Sequence, residues 1–147
     1  MQIKKRYLIG AVLAAATVAI SLYLGFIGPT VKPEPLVLNF SRGAILSTGE
    51  RERLLVFAGK HIGEDRLLFH VLGHTGEQGD ANANLALSRQ RADFVANELK
   101  SAGIAAERIL SVEGVGAADP LTAEADQSDR ALQRAMARVV VTSLVKK

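Results

Sequence analysis

Residues 69–95 read FHVLGHTGEQGDANANLALSRQRADFV, and this stretch decides the fold. The apolar run Leu67–Leu72 predicts a buried strand, and the glycines that follow it mark a tight polar loop. Over about Asn84–Ala102, apolar residues recur on one helical face, and Gly103 is placed to end the helix. Because helix N-terminal N–H groups and nearby arginines converge after such a strand and loop, the stretch predicts a site for a small anionic ligand.

The same pattern predicts the contacts between this strand and this helix. Apolar residues of the two elements should be buried against each other, and they are Leu68, Val71 and Leu72 on the strand and Leu85, Val95 and Leu99 on the helix. In the loop, Gly79 permits the turn, Asn84 is a candidate helix cap, and Ser88 is placed to tie the helix to the loop.

The flanking sequence alternates strands with amphipathic helices. Leu36–Phe40 predicts a first strand, and Ser47 with Glu50 has capping-box spacing at the start of a first helix. The apolar face of that helix is expected to consist of Leu54, Leu55, Phe57 and Ala58. The remaining elements are a strand at 109–112, a loosely helical segment at 122–133 and a closing strand at 139–144. This order predicts an α/β fold, an α+β two-layer sandwich of βαβαβ type followed by a helix and a last strand.

The N-terminal segment predicts a membrane anchor. A basic cap, Met1–Arg6, precedes Tyr7–Ile27, an apolar run that as a helix would be about 30 Å long, the thickness of a bilayer core. A cleaved signal peptide is the alternative, but its apolar core is usually about 7–15 residues, and Gly25–Pro29 offers no good cleavage site. The positive-inside rule then places the N-terminus in the cytoplasm and the C-terminal part in the periplasm, as expected of a single-pass inner-membrane protein.

A short linker separates this transmembrane helix from the remaining chain. Residues 28–35 contain three prolines and extend to about 25 Å at most, so the domain at 36–147 is expected close to the membrane surface. The apolar run contains no ionisable carboxylate, which argues against a role in ion passage.

Composition excludes several classes of function. The net charge of +3 comes from the N-terminal 35 residues, because residues 36–147 carry fourteen basic and fourteen acidic side chains. The domain therefore lacks the basic surface of a nucleic-acid-binding protein. Absence of cysteine excludes disulfides, thiolate metal sites, a cysteine nucleophile and an acylated lipoprotein cysteine. The three histidines lack metal-ligand spacing, and no catalytic motif or phosphate-binding loop is present, so we expect no metal, no cofactor and no enzymatic activity.

The central stretch resembles the signature of the OmpA C-terminal-like family, whose members commonly bind peptidoglycan. The matching residues are Gly73-His74-Thr75, Gly79, Asn84, Leu87-Ser88 and Arg91-Ala92. The resemblance extends over about residues 36–145 and implies the same two-layer fold. It also implies a site for the peptidoglycan stem peptide, and the residues carried over to it are Arg91, Thr75, Gly76, Asn84 and Arg138.

In this family the arginine matching Arg91 pairs with a carboxylate of the stem-peptide diamino acid. A guanidinium suits this contact because it can donate two parallel hydrogen bonds to one carboxylate. The alternative is an exposed arginine paired with Asp93. For His74, hydrogen bonding within its own turn is favoured over a site shared with His70. For Arg138, the alternative is a solubilising charge at a sheet edge.

Two departures from the family pattern weaken the predicted site. The family's aspartate, which receives the ammonium of the ligand, is replaced by Gly76. Losing a hydrogen bond to a charged group costs about 1.5–3 kcal/mol, or about ten- to a hundredfold in affinity. Glu77 or Asp80 is a possible substitute. The last strand retains one arginine, Arg138, of the family's Asn-Arg-Arg-Val.

Two functions follow as hypotheses. The first is a membrane-anchored envelope protein that binds peptidoglycan weakly and non-covalently. The second is an OmpA-like domain that has become a protein–protein interaction or assembly module, with a partner protein or a second copy as a homodimer.

Overall fold

The computed structural model describes residues 34–121 and 127–146 of the 147-residue chain. Within these ranges five strands form one sheet. They are β1 (Leu36–Arg42), β2 (Ile45–Leu46), β3 (Leu67–Gly73), β4 (Ile109–Gly114) and β5 (Arg138–Val145). The helices are α1 (Thr48–His61), α2 (Ala81–Ser101) and α3 (Asp129–Met136), with a 3₁₀ turn at Ala106–Arg108. The predicted mixed α/β architecture is confirmed.

The sheet has the order β2-β1-β5-β3-β4. Strands β3 and β4 are parallel, and α2 makes the crossover that a parallel pair requires. All other pairs are antiparallel. The last strand of the chain, β5, lies between β1 and β3 near the middle of the sheet. The two-residue strand β2 was not predicted, because two residues are too few to show a period.

Helix α1 begins where the capping-box spacing predicts. The Ser47 side chain accepts a hydrogen bond from the Glu50 backbone N–H at 3.3 Å. The buried residues of this helix are Leu54 and Ala58, and Phe57 packs at the edge of the core. The prediction for Leu55 is wrong, because the helix rotation turns this side chain toward solvent.

Helix α2 begins three residues earlier than predicted. Its N-cap is Asp80, whose carboxylate accepts from the Ala83 N–H at 2.8 Å, so Asn84 is not the cap. Val95 and Leu99 are buried as predicted, together with Ala92 and Ala96. Leu85 is 49% exposed and the prediction of its burial is wrong, because it lies near the start of the helix, next to the loop after β4 rather than to the sheet.

Burial alternates strictly along β3. Leu67, Phe69 and Val71 face the helices and belong to the core, whereas Leu68 and Leu72 lie on the opposite, half-buried face. The predicted burial is therefore correct for Val71 and wrong for Leu68 and Leu72. The apolar run suggested a strand covered on both sides, but successive side chains of a strand point to opposite faces and the helices cover only one.

The predicted anchor, Tyr7–Ile27, and the linker lie outside the described residues, as does part of the predicted helical segment at 122–133. The helix observed in that region is Asp129–Met136, with Ser128 as its N-cap. None of the described helices is both long enough and apolar enough to span a bilayer.

Candidate ligand-binding site

Three chain segments meet at one end of the sheet. The His74 N–H, directly after β3, donates to the Arg138 carbonyl at the start of β5 (2.8 Å). The next N–H, of Thr75, donates to the carbonyl of Gly116 in the loop after β4 (2.9 Å). These two bonds bring together the ends of β3 and β4 and the beginning of β5, which are far apart in sequence. We call the region where His74, Thr75, Gly116 and Arg138 meet the junction.

Arg91 supports this junction from helix α2. Its side chain is only 4% exposed, and it donates from Nε to the Gly43 carbonyl (2.7 Å) and from Nη1 to the His74 carbonyl (3.0 Å). Its guanidinium carbon lies 5.2 Å from the centre of the Phe40 ring, within the range of a cation–π contact. Burial lowers the pKa of Arg91, although an arginine stays charged at neutral pH.

The alternative of an exposed Arg91 paired with Asp93 is wrong. Asp93 instead accepts from Arg89 at 3.1 Å on the outer face of α2. Arg91 lies in the interior, and two of its nitrogens donate hydrogen bonds to main-chain carbonyls, one of which belongs to His74. The structure thus shows Arg91 fixing the backbone of the junction and adding buried positive charge there.

Arg138 is the second buried arginine at the junction. It is 6% exposed, and its Nη2 donates to the Asp119 carboxylate at 3.2 Å. The alternative of a solubilising charge at a sheet edge is wrong, because β5 is an inner strand and its first residue lies in the interior. Arg138 Nη1 is buried and has no hydrogen-bond partner among the described residues.

His74 is buried beside this arginine. Its Nδ1 lies 3.8 Å from the Asp119 carboxylate and makes no hydrogen bond to any described residue, so the predicted bond within its own turn is not observed for this nitrogen. Burial and the neighbouring Arg138 charge lower the pKa of His74, and Asp119 opposes them less strongly. The imidazole is therefore neutral at neutral pH and can act as donor or acceptor.

Three buried polar atoms of the junction thus have no partner in the described part of the chain: His74 Nδ1, Thr75 Oγ1 and Arg138 Nη1. Leaving such atoms without a hydrogen bond costs about 1–3 kcal/mol each, and more for a charged group. A guanidinium donor and a hydroxyl, which can donate and accept, are both groups that suit a carboxylate oxygen of a ligand. Of the predicted site residues, the structure therefore brings Thr75, Arg91 and Arg138 together.

Gly76 and Asn84 form the adjoining loop. The Asn84 side-chain amide donates to the carbonyls of Gly76 (3.2 Å) and Gln78 (3.0 Å), so Asn84 holds the loop in shape. Gly76 does not have a positive φ, which means that its backbone would accept another residue. A Cβ at this position would instead meet the flexible side-chain amide of Gln133, from helix α3.

The two acids proposed as substitutes for the missing aspartate differ in their surroundings. The Asp80 carboxylate is committed to capping α2. Glu77 is exposed at the edge of a cavity of about 380 Å³ between this loop and the loop after β4.

Close packing of α2 on the sheet fixes the positions of the two loops that form the site. Ser88 Oγ accepts from the Gly116 N–H at 2.9 Å, so Ser88 ties the helix to the loop after β4 and not, as predicted, to the loop after β3. Gly73 and Gly114 end the paired strands at the points where the α2 backbone passes closest. Gly79 has a φ of 99°, which confirms its role in the turn.

Two contributors to the site were not predicted from the sequence, namely Asp119 and His74 as a buried member of the junction. His74 lies inside the matched motif, so its position gave a usable signal. Asp119 lies in a loop between glycines and Pro120 and shows no pattern that separates it from a solvated acid. Among the described residues, no group of three or more histidine or acidic side chains is placed to hold a metal ion.

The family model described as the OmpA family matches residues 42–134, which is more than half of the chain. The chain belongs to the OmpA family. The matched range contains all of the motif around β3 and α2 and ends just before β5. Arg138 and the rest of the last strand therefore lie outside it.

Individual relatives agree with this assignment. The OmpA-family domain is 37% identical over 73 residues to the probable lipoprotein YiaD of Escherichia coli K12, a match that covers 50% of this chain and 32% of that protein. The chain thus spans about a third of the length of this relative. Its fold matches the peptidoglycan-associated lipoprotein of Burkholderia pseudomallei with a TM-score of 0.65 at 20% identity, over 74% of this chain and 89% of that one. A putative MotB-like protein from Desulfovibrio vulgaris gives a TM-score of 0.58 at 27% identity, over 77% and 73% of the two chains.

Proposed function

We propose that this chain is an envelope protein whose OmpA-family domain binds peptidoglycan non-covalently in the periplasm. The observation that carries the proposal is the cluster of buried polar atoms without described partners on His74, Thr75 and Arg138. A similar fold in a peptidoglycan-associated lipoprotein supports it. A stem-peptide carboxylate would accept hydrogen bonds from Arg138 and Thr75, while Arg91 holds the His74 backbone in place.

Binding is proposed to be weak because residue 76 supplies no side chain. The Gln133 amide lies where a side chain at residue 76 would project. A neutral amide oxygen accepts a hydrogen bond from an ammonium, but charge-assisted bonds between two ions are stronger. This lowers the affinity for a ligand that presents an ammonium at that point.

The alternative function, a protein–protein interaction or assembly module, is favoured by the same observation at residue 76. An amide that fills the space of the acid is the kind of change expected once ammonium recognition is no longer needed. A partner protein or a second copy of the chain would then be the ligand of the domain. The following experiment separates the two functions.

Purified sacculi should sediment the detergent-solubilised full-length protein, and Gly76→Asp should increase the bound fraction. The gain expected is about 1.5–3 kcal/mol, or ten- to a hundredfold in affinity, because the substitution places an acid next to Thr75, where the ligand's ammonium would be received. The backbone at residue 76 does not oppose the change, and the flexible end of Gln133 can move aside.

The matched control is Gly59→Asp, which changes the net charge equally on α1, where nothing lies within 4 Å of the new Cβ. It should bind as the parent protein does. If the parent protein fails to sediment, and a correctly folded Gly76→Asp variant gains no binding, the interaction module becomes the better account.

We further propose that Tyr7–Ile27 remains as a single membrane span, with residues 1–6 cytoplasmic and residues 36–147 periplasmic. The length of the apolar run and the basic residues before it support this topology. An enzyme that is active only after export, fused after Lys147, should be active, and N-terminal sequencing of the membrane-bound protein should begin before Tyr7. A mature N-terminus beyond Ile27 would contradict the anchor.

A further inference from the structure

We propose that Asp119 receives the ligand's ammonium, in place of the acid that the chain lacks at residue 76. This inference rests on the proposed function and specifies the ligand as one that carries an ammonium and a carboxylate on the same carbon. A diamino dicarboxylic acid such as diaminopimelate has this chemistry at each end.

The first support is the position of Asp119. The loop that carries it is tied to Thr75, the neighbour of Gly76, by the bond from the Thr75 N–H to the Gly116 carbonyl. The Asp119 carboxylate lies 3.2 Å from Arg138 Nη2 and 3.8 Å from His74 Nδ1. It therefore faces the same junction that residue 76 adjoins, although it comes from a different loop.

The second support is the way in which Arg138 is used. Asp119 occupies only Nη2, and Nη1 of the same guanidinium is buried without a partner among residues 34–121 and 127–146. One side of the guanidinium is thus paired internally, while the nitrogen on the other side is buried and has no partner in the described part of the chain. A ligand carboxylate on Nη1 would lie beside Asp119 without displacing it.

The third support is the spacing of the two charged groups at one end of the ligand, which Asp119 and Arg138 match. The ammonium nitrogen and carboxylate carbon at that end are both bonded to one carbon and lie about 2.5 Å apart. A complementary site must therefore present its acid and its base as close neighbours, as Asp119 and Arg138 are. Asp119 is 68% exposed, which leaves its carboxylate open to a ligand from solvent.

Other acids near the junction fit less well. Asp80 is committed to the helix cap. Glu77 is solvent-exposed and pairs with neither arginine of the junction. Glu77 is nevertheless the competing candidate, and the test includes it.

The test is calorimetric titration of the full-length protein in detergent with three probes of related chain length. These are meso-diaminopimelate, pimelate, which lacks the ammonium groups, and cadaverine, which lacks the carboxylates. The protein should bind diaminopimelate most tightly. In Asp119→Asn, the preference for diaminopimelate over pimelate should fall about tenfold, the low end for a charged hydrogen bond because the carboxylate is largely exposed.

Asp93→Asn is the matched control, since it removes an exposed acid from α2 whose only described ion pair is with Arg89, and it should leave all affinities unchanged. Asp119→Ser should repeat the loss, which keeps the test decisive if Asp119→Asn folds poorly by circular dichroism. Equal or tighter binding of diaminopimelate by both Asp119 variants would overturn the proposal and make Asp119 a competitor for Arg138. A loss in Glu77→Gln but not in the Asp119 variants would overturn it in favour of Glu77.

Failure of this inference is distinct from failure of the proposed function. If the protein sediments with sacculi but binds none of the three probes, peptidoglycan binding stands and the assignment of Asp119 is overturned. If it neither sediments nor binds a probe, both are overturned.

Discussion

Replacing Leu99 by alanine should lower the free energy of unfolding by about 2–5 kcal/mol. Leu99 is fully buried in the core that α2 forms with the sheet, together with Phe69 and Val71. The substitution removes apolar contacts and leaves a cavity that the strands cannot close, because they are held by ladder hydrogen bonds on both sides of β3. Denaturant unfolding of the full-length protein, followed by circular dichroism, measures the loss.

Leu85→Ala is the matched control on the same helix. Leu85 is 49% exposed, so truncation should cost no more than about 1 kcal/mol. Equal losses for the two variants would contradict the orientation of α2 found in the structure, in which Leu99 faces the sheet and Leu85 does not.

Gly73→Ala should also destabilise the fold, by about 1–3 kcal/mol or more. A Cβ at residue 73 would lie 2.9 Å from the Ser88 carbonyl carbon and closer still to its oxygen. These are backbone atoms of α2, so relief requires the whole helix to move away from the sheet. The φ of Gly73 is not positive, which means that the cost arises from this contact and not from backbone strain.

The control is Gly59→Ala in the last turn of α1, where a Cβ has nothing within 4 Å. Alanine there should stabilise the protein by about 0.5–1 kcal/mol, because glycine is a poor helix former. The pair of variants separates the packing cost from the general effect of replacing a glycine. A change below about 0.5 kcal/mol in Gly73→Ala would show that α2 can withdraw from β3 at little cost. Sacculus binding by that variant would then be expected to remain.

These two predictions bear on function because the site is built on the same contact. Gly73 packs against Ser88, whose hydroxyl also accepts a hydrogen bond from the Gly116 N–H. The Gly116 carbonyl in turn accepts a hydrogen bond from the Thr75 N–H. A shift of α2 therefore reaches both loops of the junction. It also moves Arg91, which holds the His74 carbonyl from the same helix.

Local features were predictable because they depend on neighbours in sequence. The apolar run before Gly73 is a strand, the periodic segment after the loop is a helix, and Ser47 caps α1. The capping bond joins residues three apart, and the periods of strand and helix repeat within a few residues. The motif around Gly73 and Arg91 also identified the family, since its residues lie in one continuous stretch.

The predicted boundaries and faces were less reliable where two signals competed. Both Asp80 and Asn84 can cap a helix, and the sequence does not show that the asparagine is used to hold the loop at Gly76 and Gln78. Leu68 and Leu72 are as apolar as Val71, so the composition of β3 did not reveal that helices cover only one face of the sheet.

The sequence by itself determined the strand–loop–helix unit, the family and the residue types available to a ligand. The tertiary structure decided which of those residues meet. Placement of β5 between β1 and β3 buries Arg138 and brings it to His74, and the loop after β4 brings Asp119 to both. These contacts join segments 19–64 residues apart, where the energy of strand pairing and core packing, and not any local preference of the chain, selects the neighbour.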